Sequence, residues 1–360
     1  MTTDVTPAAA NLAGYEQLAR ERLSEAAYHY FAGGAADEVT LRDNRAAFER
    51  ISLVPRVLRG GGRTTAVEVL GCELAFPVAV APLAYQKVAH PDGEAATAVA
   101  AAAVGTAMCV SSLANIPLEE IAAAGAGAPL FFQLYPYRDR GMTADVVARA
   151  EAAGCRALFV TVDVTVHGRR ERELRHAFTL PDDCELPCVP VPEDHVGAIT
   201  PHDVTSFMRP DLSWADIEEF AALTRLPVVL KGVLSPEDAR IAAESGVAGV
   251  VVSNHGGRQL DTAIAAIDAL PDVVDAAGDA LTVLMDGGIR RGTDVVKALA
   301  LGARAVLVGR PVIWGLSAAG RRGVEDVLGL LRDETADALA LAGCLSPAEA
   351  DERLVRRRPA

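Results

Sequence analysis

Aromatic side chains are scarce in this 360-residue chain, at 5%. A surface that stacks single-stranded nucleic acid needs many of them, so no nucleic-acid partner is expected. Positive charge is also in deficit. Thirty-four Lys and Arg against 48 Asp and Glu leave a net charge of −14, the wrong sign for a phosphate-backbone binder. A small anionic substrate stays open, because it needs only a few well-placed arginines. Long apolar runs are missing too. The longest uncharged stretch, 95–118, is mostly alanine and contains Ser111, Ser112, Asn115 and Pro117. A membrane span needs about 20 strongly apolar residues, so this stretch reads as a buried helix followed by a strand, and no membrane association is expected. The first ten residues, MTTDVTPAAA, lack the basic and apolar regions of a secretory signal. Only six cysteines occur, mostly within apolar runs. They predict reduced thiols and a cytoplasmic location. Cys184, Cys188, His195 and His202 share one loop, but their spacing matches no standard finger, and no metal is expected.

What is present is a globular balance, 51% hydrophobic and 23% charged, long enough for a large core. Three segments repeat one pattern: Gly154–Asp163, Gly246–His255 and Gly302–Pro311. Each opens with a glycine suited to the residue after a helix, where φ is usually positive. Each continues as a near-continuous apolar run, as a strand buried on both faces must. Thr143, Ser235 and Thr293 are candidate N-caps for the preceding helices, with Pro236 at a first helical position. Asp145, Asp238 and Asp294 suit first turns. Further strands are expected at Pro77–Ala81, Ala107–Ser111, Leu130–Leu134, Val228–Lys231 and Thr282–Asp286. Eight strands, mostly spaced for one crossover helix each, predict an α/β fold of the (β/α)8 TIM-barrel type; an open doubly wound sheet is the alternative. The expected organisation is an N-terminal helical extension (1–60), a barrel (61–345) with a long lid loop after strand 4, and a C-terminal tail (346–360). Residues 179–211, rich in Pro, Asp and Val and without helical period, form that mobile lid. A closing helix is expected at 320–343.

Barrel chemistry gathers at the C-terminal strand ends. In chain order these read Pro82-Leu83-Ala84, Ser111-Ser112, Gln133-Leu134-Tyr135, Thr161-Val162-Asp163, Lys231, Ser253-Asn254-His255, Asp286-Gly287-Gly288 and Gly309-Arg310. A polar bowl on an apolar barrel is costly unless it serves a ligand. The glycines after strands 7 and 8, with Arg310, point to a phosphate site. Asp286 suits a ribityl or ribose hydroxyl. His255 at the end of an apolar run is a candidate general base, and Asp163 can orient it and stabilise its cation. Lys231 suits either a Schiff-base nucleophile or a fixed cation. Arg170 and Arg258 are candidate carboxylate clamps, while Arg169 reads as solvated.

At this point the residues resemble a family. Ser253-Asn-His-Gly-Gly-Arg-Gln-Leu-Asp261 is similar to the active-site signature of the FMN-dependent 2-hydroxy acid oxidases and dehydrogenases, which include glycolate oxidase, lactate oxidase and mandelate dehydrogenase. Matching pieces are Tyr28–Gly34, Phe132–Tyr135, Thr161–Asp163, Gly168–Arg170, Leu230–Gly232, Asp286–Arg290 and Val308–Pro311. The resemblance implies an FMN-dependent (S)-2-hydroxy acid oxidase that passes electrons to O2 and makes hydrogen peroxide. A dehydrogenase with another acceptor and a non-redox flavin barrel such as an isomerase are the alternatives. It implies that His255 takes the hydroxyl proton with Asp163 as partner, that Arg258 and Arg170 hold the carboxylate with help from Tyr30, and that Tyr135 bonds a substrate oxygen. It places Lys231 near flavin N1/O2. Pro82, Leu83, Ala84, Ser111, Gln133, Thr161 and Ser253 would surround the ring. Asp286, Gly287, Gly288, Arg290, Gly309 and Arg310 would meet the ribityl-phosphate chain. Ala84 leans toward oxidase. Tyr85, Leu113 and His167 depart from the glycolate-oxidase pattern of methionine, tryptophan and leucine. Leu113 in place of an indole enlarges the pocket, and Pro82–Gln86 is similar to the hydroxymandelate oxidases, so a mandelate-like or other larger substrate is expected. His167 either points into the pocket toward a polar substituent or faces solvent. By the same resemblance the chain forms a homo-oligomer, commonly a tetramer.

Overall fold

The computed structural model describes residues 8–189 and 198–358. Eight parallel strands form a closed barrel: β1 (Val78–Val80), β2 (Met108–Ser111), β3 (Leu130–Leu134), β4 (Leu158–Thr161), β5 (Val228–Val233), β6 (Gly249–Val252), β7 (Thr282–Asp286) and β8 (Ala305–Val308). Strand β8 closes the ring by pairing with β1, with Val306 opposite Val78. The fold is therefore the (β/α)8 barrel, and the open sheet is excluded.

Both faces of these strands are buried, which is why they read as unbroken apolar runs. Cys109, Phe131, Phe159, Val229, Val251, Leu284 and Leu307 form one cluster, the barrel interior. Alternate residues such as Val110, Phe132, Val160 and Val250 pack outward under the helices. A hairpin, Val67–Val69 with Cys72–Leu74, turns through Leu70 and Gly71 at φ 50 and 73. Positive φ at both turn residues matches the right-handed twist of its strands. Its Val69, Cys72 and Leu74 join the interior cluster and plug the N-terminal mouth, leaving the opposite mouth for chemistry.

The N-terminal extension contributes α1 (Leu12–Arg22), α2 (Glu25–Ala32) and α3 (Val39–Glu49). Asn11 and Ser24 cap α1 and α2 by accepting from Gly14 N and Ala27 N. Tyr15 of α1 donates to Asp326 (2.9 Å), fixing the extension to the C-terminal helix. That helix, Arg310–Ala342, kinks at Ala319 and Gly320, so the expected 320–343 helix is its second half. Val355–Arg357 pairs antiparallel with Ile51–Leu53, tying the chain's C-terminal segment to the extension.

Two expected caps are corrected. Asp139, not Thr143, caps Arg140–Ala152; Thr143 lies inside the first turn, where its hydroxyl accepts from Tyr137 N (3.0 Å), and Asp145 falls beyond that turn. Arg291, not Thr293, precedes Gly292–Ala300, while Asp294 at the third position accepts from Arg290 N and Arg291 N. Ser235 caps its helix as expected, with Pro236 first. The lid segment also departs from the reading without helix: Pro201–Ser206 is a short helix with a Thr200–Asp203 capping box, too short to show a period. His195 lies outside the described residues. Among the described residues, Cys184, Cys188 and His202 join no metal-ligating group, and burial pushes the Cys184 thiol up to about 11. No helix among the described residues is long and apolar enough to cross a membrane.

Candidate active site

The C-terminal mouth holds a pocket bordered by residues from all eight strand ends, by Tyr30 and Phe31 of α2 and by Pro201, Thr205 and Met208. Its centre is His255, which follows β6 with φ +58. Gly256 and Gly257 continue in the same left-handed region (φ +64 and +74), which only glycine adopts without strain. Asn254 holds this turn. Its side-chain oxygen accepts from Gly257 N (3.0 Å), and its amide exchanges two 2.8 Å bonds with Asn44 of α3. Ser253 Oγ accepts from His255 N (3.0 Å).

Asp163, just beyond β4, lies 3.0 and 3.2 Å from His255 Nδ1. An ionised carboxylate only accepts, so Nδ1 carries the hydrogen and Nε2 presents its lone pair to the pocket. Tyr135 Oη stands 3.4 Å from that Nε2. Burial lowers the pKa of His255 below its usual value; Asp163 opposes the shift, and Lys231 adds to it. Burial alone would raise Asp163, but the His255 and Lys231 charges and the His255 hydrogen bond outweigh it and hold it low. The pair is thus poised as neutral imidazole and carboxylate.

Two guanidinium groups face the same spot. Arg258 donates to Tyr30 O (2.7 Å) and Gly33 O (3.1 Å) and lies 4.9 Å from the Tyr30 ring centroid. Burial, with Arg170 beside it, pushes its pKa down to about 10. A bound carboxylate relieves that repulsion. Arg170 donates to Arg258 O and Gln259 Oε1, both at 3.2 Å, and pairs with Glu173 at 3.6 Å. Arg169 is exposed beside Glu171.

The floor is a polar ladder. Lys231 Nζ lies 3.0 Å from Asp286 Oδ2 and donates to Ser253 Oγ (3.1 Å), which donates to Asp286 Oδ1 (2.6 Å). Burial would lower Lys231, but Asp286 and Asp163 raise it, so it stays charged. Ser111 Oγ, Gln133 and Thr161 Oγ1 form a second chain through 2.9 Å bonds. Ser111, Thr161, Pro82, Leu83 and Ala84 line the pocket; Gln133, Ser253 and Asp163 stand directly behind it.

At one end of the pocket lie Gly287, Gly288, Arg290, Gly309 and Arg310. Arg310 donates only to main-chain carbonyls: Phe31 O (2.9 Å), Gly256 O (3.0 Å) and Gly33 O (2.8 Å). Arg290 donates to Ile289 O (2.9 Å). Among the described residues neither makes an ion pair. Burial pushes Arg290 down to about 10 and Arg310 well below its usual value. Two recessed, unneutralised cations beside glycine loops fit a phosphate dianion. With the polar floor and Lys231, these residues fit FMN.

Of the departures noted in the sequence, Tyr85 is fully buried at φ +60, with its hydroxyl unpartnered and its ring 5.6 Å from Tyr30. Leu113 lines the same wall. His167 lines the pocket, the first of its two expected positions, and does not face solvent. It sits in the wall with Nδ1 3.1 Å from Thr205 Oγ1 and Nε2 3.3 Å from Glu173. The sequence reading missed Thr205 and Met208 of the lid, which reach the pocket, and the brace Gln259. Gln259 lay inside the recognised signature; its amide bonds Asp163 O (2.9 Å) and Val166 O (3.0 Å), fastening the β4 loop to the His255 turn.

Comparison with known proteins agrees with this geometry. Residues 19–357 match the model of the FMN-dependent dehydrogenase family. The chain is 48% identical to L-lactate oxidase from Nostoc sp. over 93% of this chain and 94% of that one. It is 44% identical to 2-hydroxyacid oxidase 1 from Homo sapiens, covering 96% of each. Among solved structures, mandelate oxidase with (S)-4-hydroxymandelic acid superposes with a TM-score of 0.94 at 44% identity, covering 98% of this chain and 100% of that chain. The chain belongs to the FMN-dependent dehydrogenase family, with FMN as cofactor, among the 2-hydroxy acid oxidases.

Proposed function

We propose that this pocket oxidises an (S)-2-hydroxy acid with a mandelate-like side chain to the 2-oxo acid, with O2 as the final acceptor. One hydroxy acid and one O2 give one oxo acid and one hydrogen peroxide. The observation that carries the reading is the convergence of the His255–Asp163 pair, Tyr135 and two guanidinium groups on one spot above a phosphate-type cradle. Bound FMN supplies the two-electron acceptor. Arg258 and Arg170 hold the substrate carboxylate, which turns the hydroxyl toward Tyr135 Oη and His255 Nε2. His255 takes the hydroxyl proton as the Cα–H bond breaks, and Asp163 stabilises the resulting imidazolium. Lys231 would supply fixed positive charge against the negative charge the cofactor gains on reduction.

The larger substrate is supported by Leu113 and Tyr85 in the pocket wall and by the mandelate oxidase structures among the neighbours. A homo-oligomer belongs to the same reading. Exposed Val57, Leu58 and Leu341 cluster where Arg56 N bonds Ala342 O, an apolar surface that a tetramer would cover; sedimentation measures it. The function is tested by an aerobic peroxide screen over glycolate, lactate, both mandelates and 4-hydroxymandelate. Highest kcat/KM on an (S)-mandelate is expected. Preference for glycolate overturns the substrate reading, and flavin that stays reduced in air overturns the O2 reading.

A further inference from the structure

Two residues that border the pocket carry a buried polar atom that the oxidation does not use: Tyr85 Oη and His167 Nε2. Among the described residues neither atom has a hydrogen-bond partner. Buried polar atoms are nearly always paired, and an orphan costs free energy, so two of them on one pocket point to a ligand that pairs them. Arg170 and Arg258 take the substrate carboxylate, and His255 with Tyr135 takes the hydroxyl. The wall that remains for the side chain holds Leu113, Tyr85 and His167. Tyr85 N donates to Leu113 O (3.1 Å), which fixes these two neighbours together. Glu173 lies 3.3 Å from His167 and 3.6 Å from Arg170, so it ties His167 to the carboxylate clamp.

The hydrogens can be assigned. Thr205 Oγ1 donates its one hydrogen to Pro201 O (2.9 Å), so toward His167 Nδ1 (3.1 Å) it only accepts. Nδ1 therefore carries the ring hydrogen, and the neutral ring offers Nε2 as an acceptor. Burial, with the Arg170 and Arg258 charges, lowers His167 and favours that neutral ring, while Glu173 opposes the shift. Glu173 cannot satisfy Nε2, because an ionised carboxylate only accepts. Burial would raise Glu173, but His167, Arg170 and Arg258 hold it low. Tyr85 is the converse: burial pushes its hydroxyl well above the usual value, so Oη keeps a hydrogen to donate. The two orphans are one donor and one acceptor.

We propose that Tyr85 and His167 form a specificity subsite for a neutral hydroxyl on the substrate's ring, which accepts from Tyr85 Oη and donates to His167 Nε2. The inference rests on the mandelate-like reading of the substrate and narrows it to ring-hydroxylated acids. A hydroxyl accepts and donates through one atom, so it satisfies both orphans. A methyl group of similar size satisfies neither. A carboxylate has no hydrogen to donate to Nε2, and it meets the like charge of Glu173. Thr205 makes the lid part of the subsite, because its bond to Nδ1 selects the tautomer that leaves Nε2 free to accept.

The test measures kcat/KM of flavin-replete holoenzyme on 3- and 4-hydroxymandelate, on the matching methyl-substituted mandelates and on mandelate itself. Wild type is expected to favour the better hydroxy acid over its methyl counterpart by at least about tenfold, the worth of one neutral hydrogen bond or more. Tyr85→Phe and His167→Leu should each shrink that ratio toward one. Tyr85→Phe removes a single oxygen, and the wild-type ratio decides even if the larger change at His167 unfolds the chain. A wild-type ratio near one with mandelate turned over, or a ratio that Tyr85→Phe leaves intact, overturns the subsite alone. Absence of turnover on every mandelate overturns the mandelate-like reading and the subsite with it.

Discussion

His255 is held by three constraints at once: a left-handed backbone, a serine under its N–H and a carboxylate behind its ring. Strain of this kind persists only where the surroundings over-determine it, and it collects at reactive sites. His255→Ala should therefore keep FMN and its yellow colour while losing anaerobic bleaching by substrate. Asp163→Asn should retain a hydrogen bond but lose the charge that stabilises the imidazolium, slowing kcat by about 10³-fold or more, read in single-turnover kinetics. The base must be neutral to act, and burial lowers its pKa from the usual 6.5. As pH falls, kcat/KM should thus hold through 6.5 and drop only below it. A limb centred above 6.5 would place the controlling proton elsewhere. Leu113→Trp should penalise mandelate more than lactate in kcat/KM; equal penalties would remove Leu113 from the substrate's side-chain subsite.

Legibility at this scale follows sequence distance. His255, Arg258 and the glycines were readable because they are consecutive and follow an apolar run. The Asn44–Asn254 exchange was not, since its partners are 210 residues apart.

At the scale of elements, the loop after β7 is built to receive α3. A Cβ on Gly288 would lie 2.0 Å from Asn44 O, and the residue has φ +82. Arg45 braces the same loop through Gly288 O and Asp294 (3.0 Å). Gly288→Ala must push α3 and the phosphate loop apart. It should cost about 1–3 kcal/mol of stability and weaken FMN retention, checked by urea unfolding and by flavin content after gel filtration. Unchanged flavin content would separate this loop from the cofactor. The strands were legible because burial on both faces leaves a signature of Val, Leu and Phe runs. Thr143 misled because a threonine hydroxyl inside a first turn resembles a cap, and the true cap, Asp139, follows a loop without apolar period.

For the whole molecule, the barrel's two mouths divide the labour. The hairpin plug and its packed interior supply stability, while the opposite mouth concentrates polar groups and unneutralised guanidinium charge. That charge makes the empty mouth unfavourable, so FMN should stabilise by mass action, about 2.7 kcal/mol at a free concentration 100 times its Kd. The closed barrel was predictable from eight apolar runs, most of them spaced for one crossover helix. The long β4–β5 interval was legible as an insertion but not as a wall of the pocket, because Thr205 and Met208 reach the site only through the fold.

The most direct test is anaerobic mixing of the purified yellow protein with (S)-mandelate, followed by admission of air. The visible flavin band is expected to bleach and to return with O2 as one peroxide appears per oxo acid, while His255→Ala stays yellow throughout. Bleaching of equal rate in His255→Ala, or none in wild type with any 2-hydroxy acid, would contradict the proposed reaction.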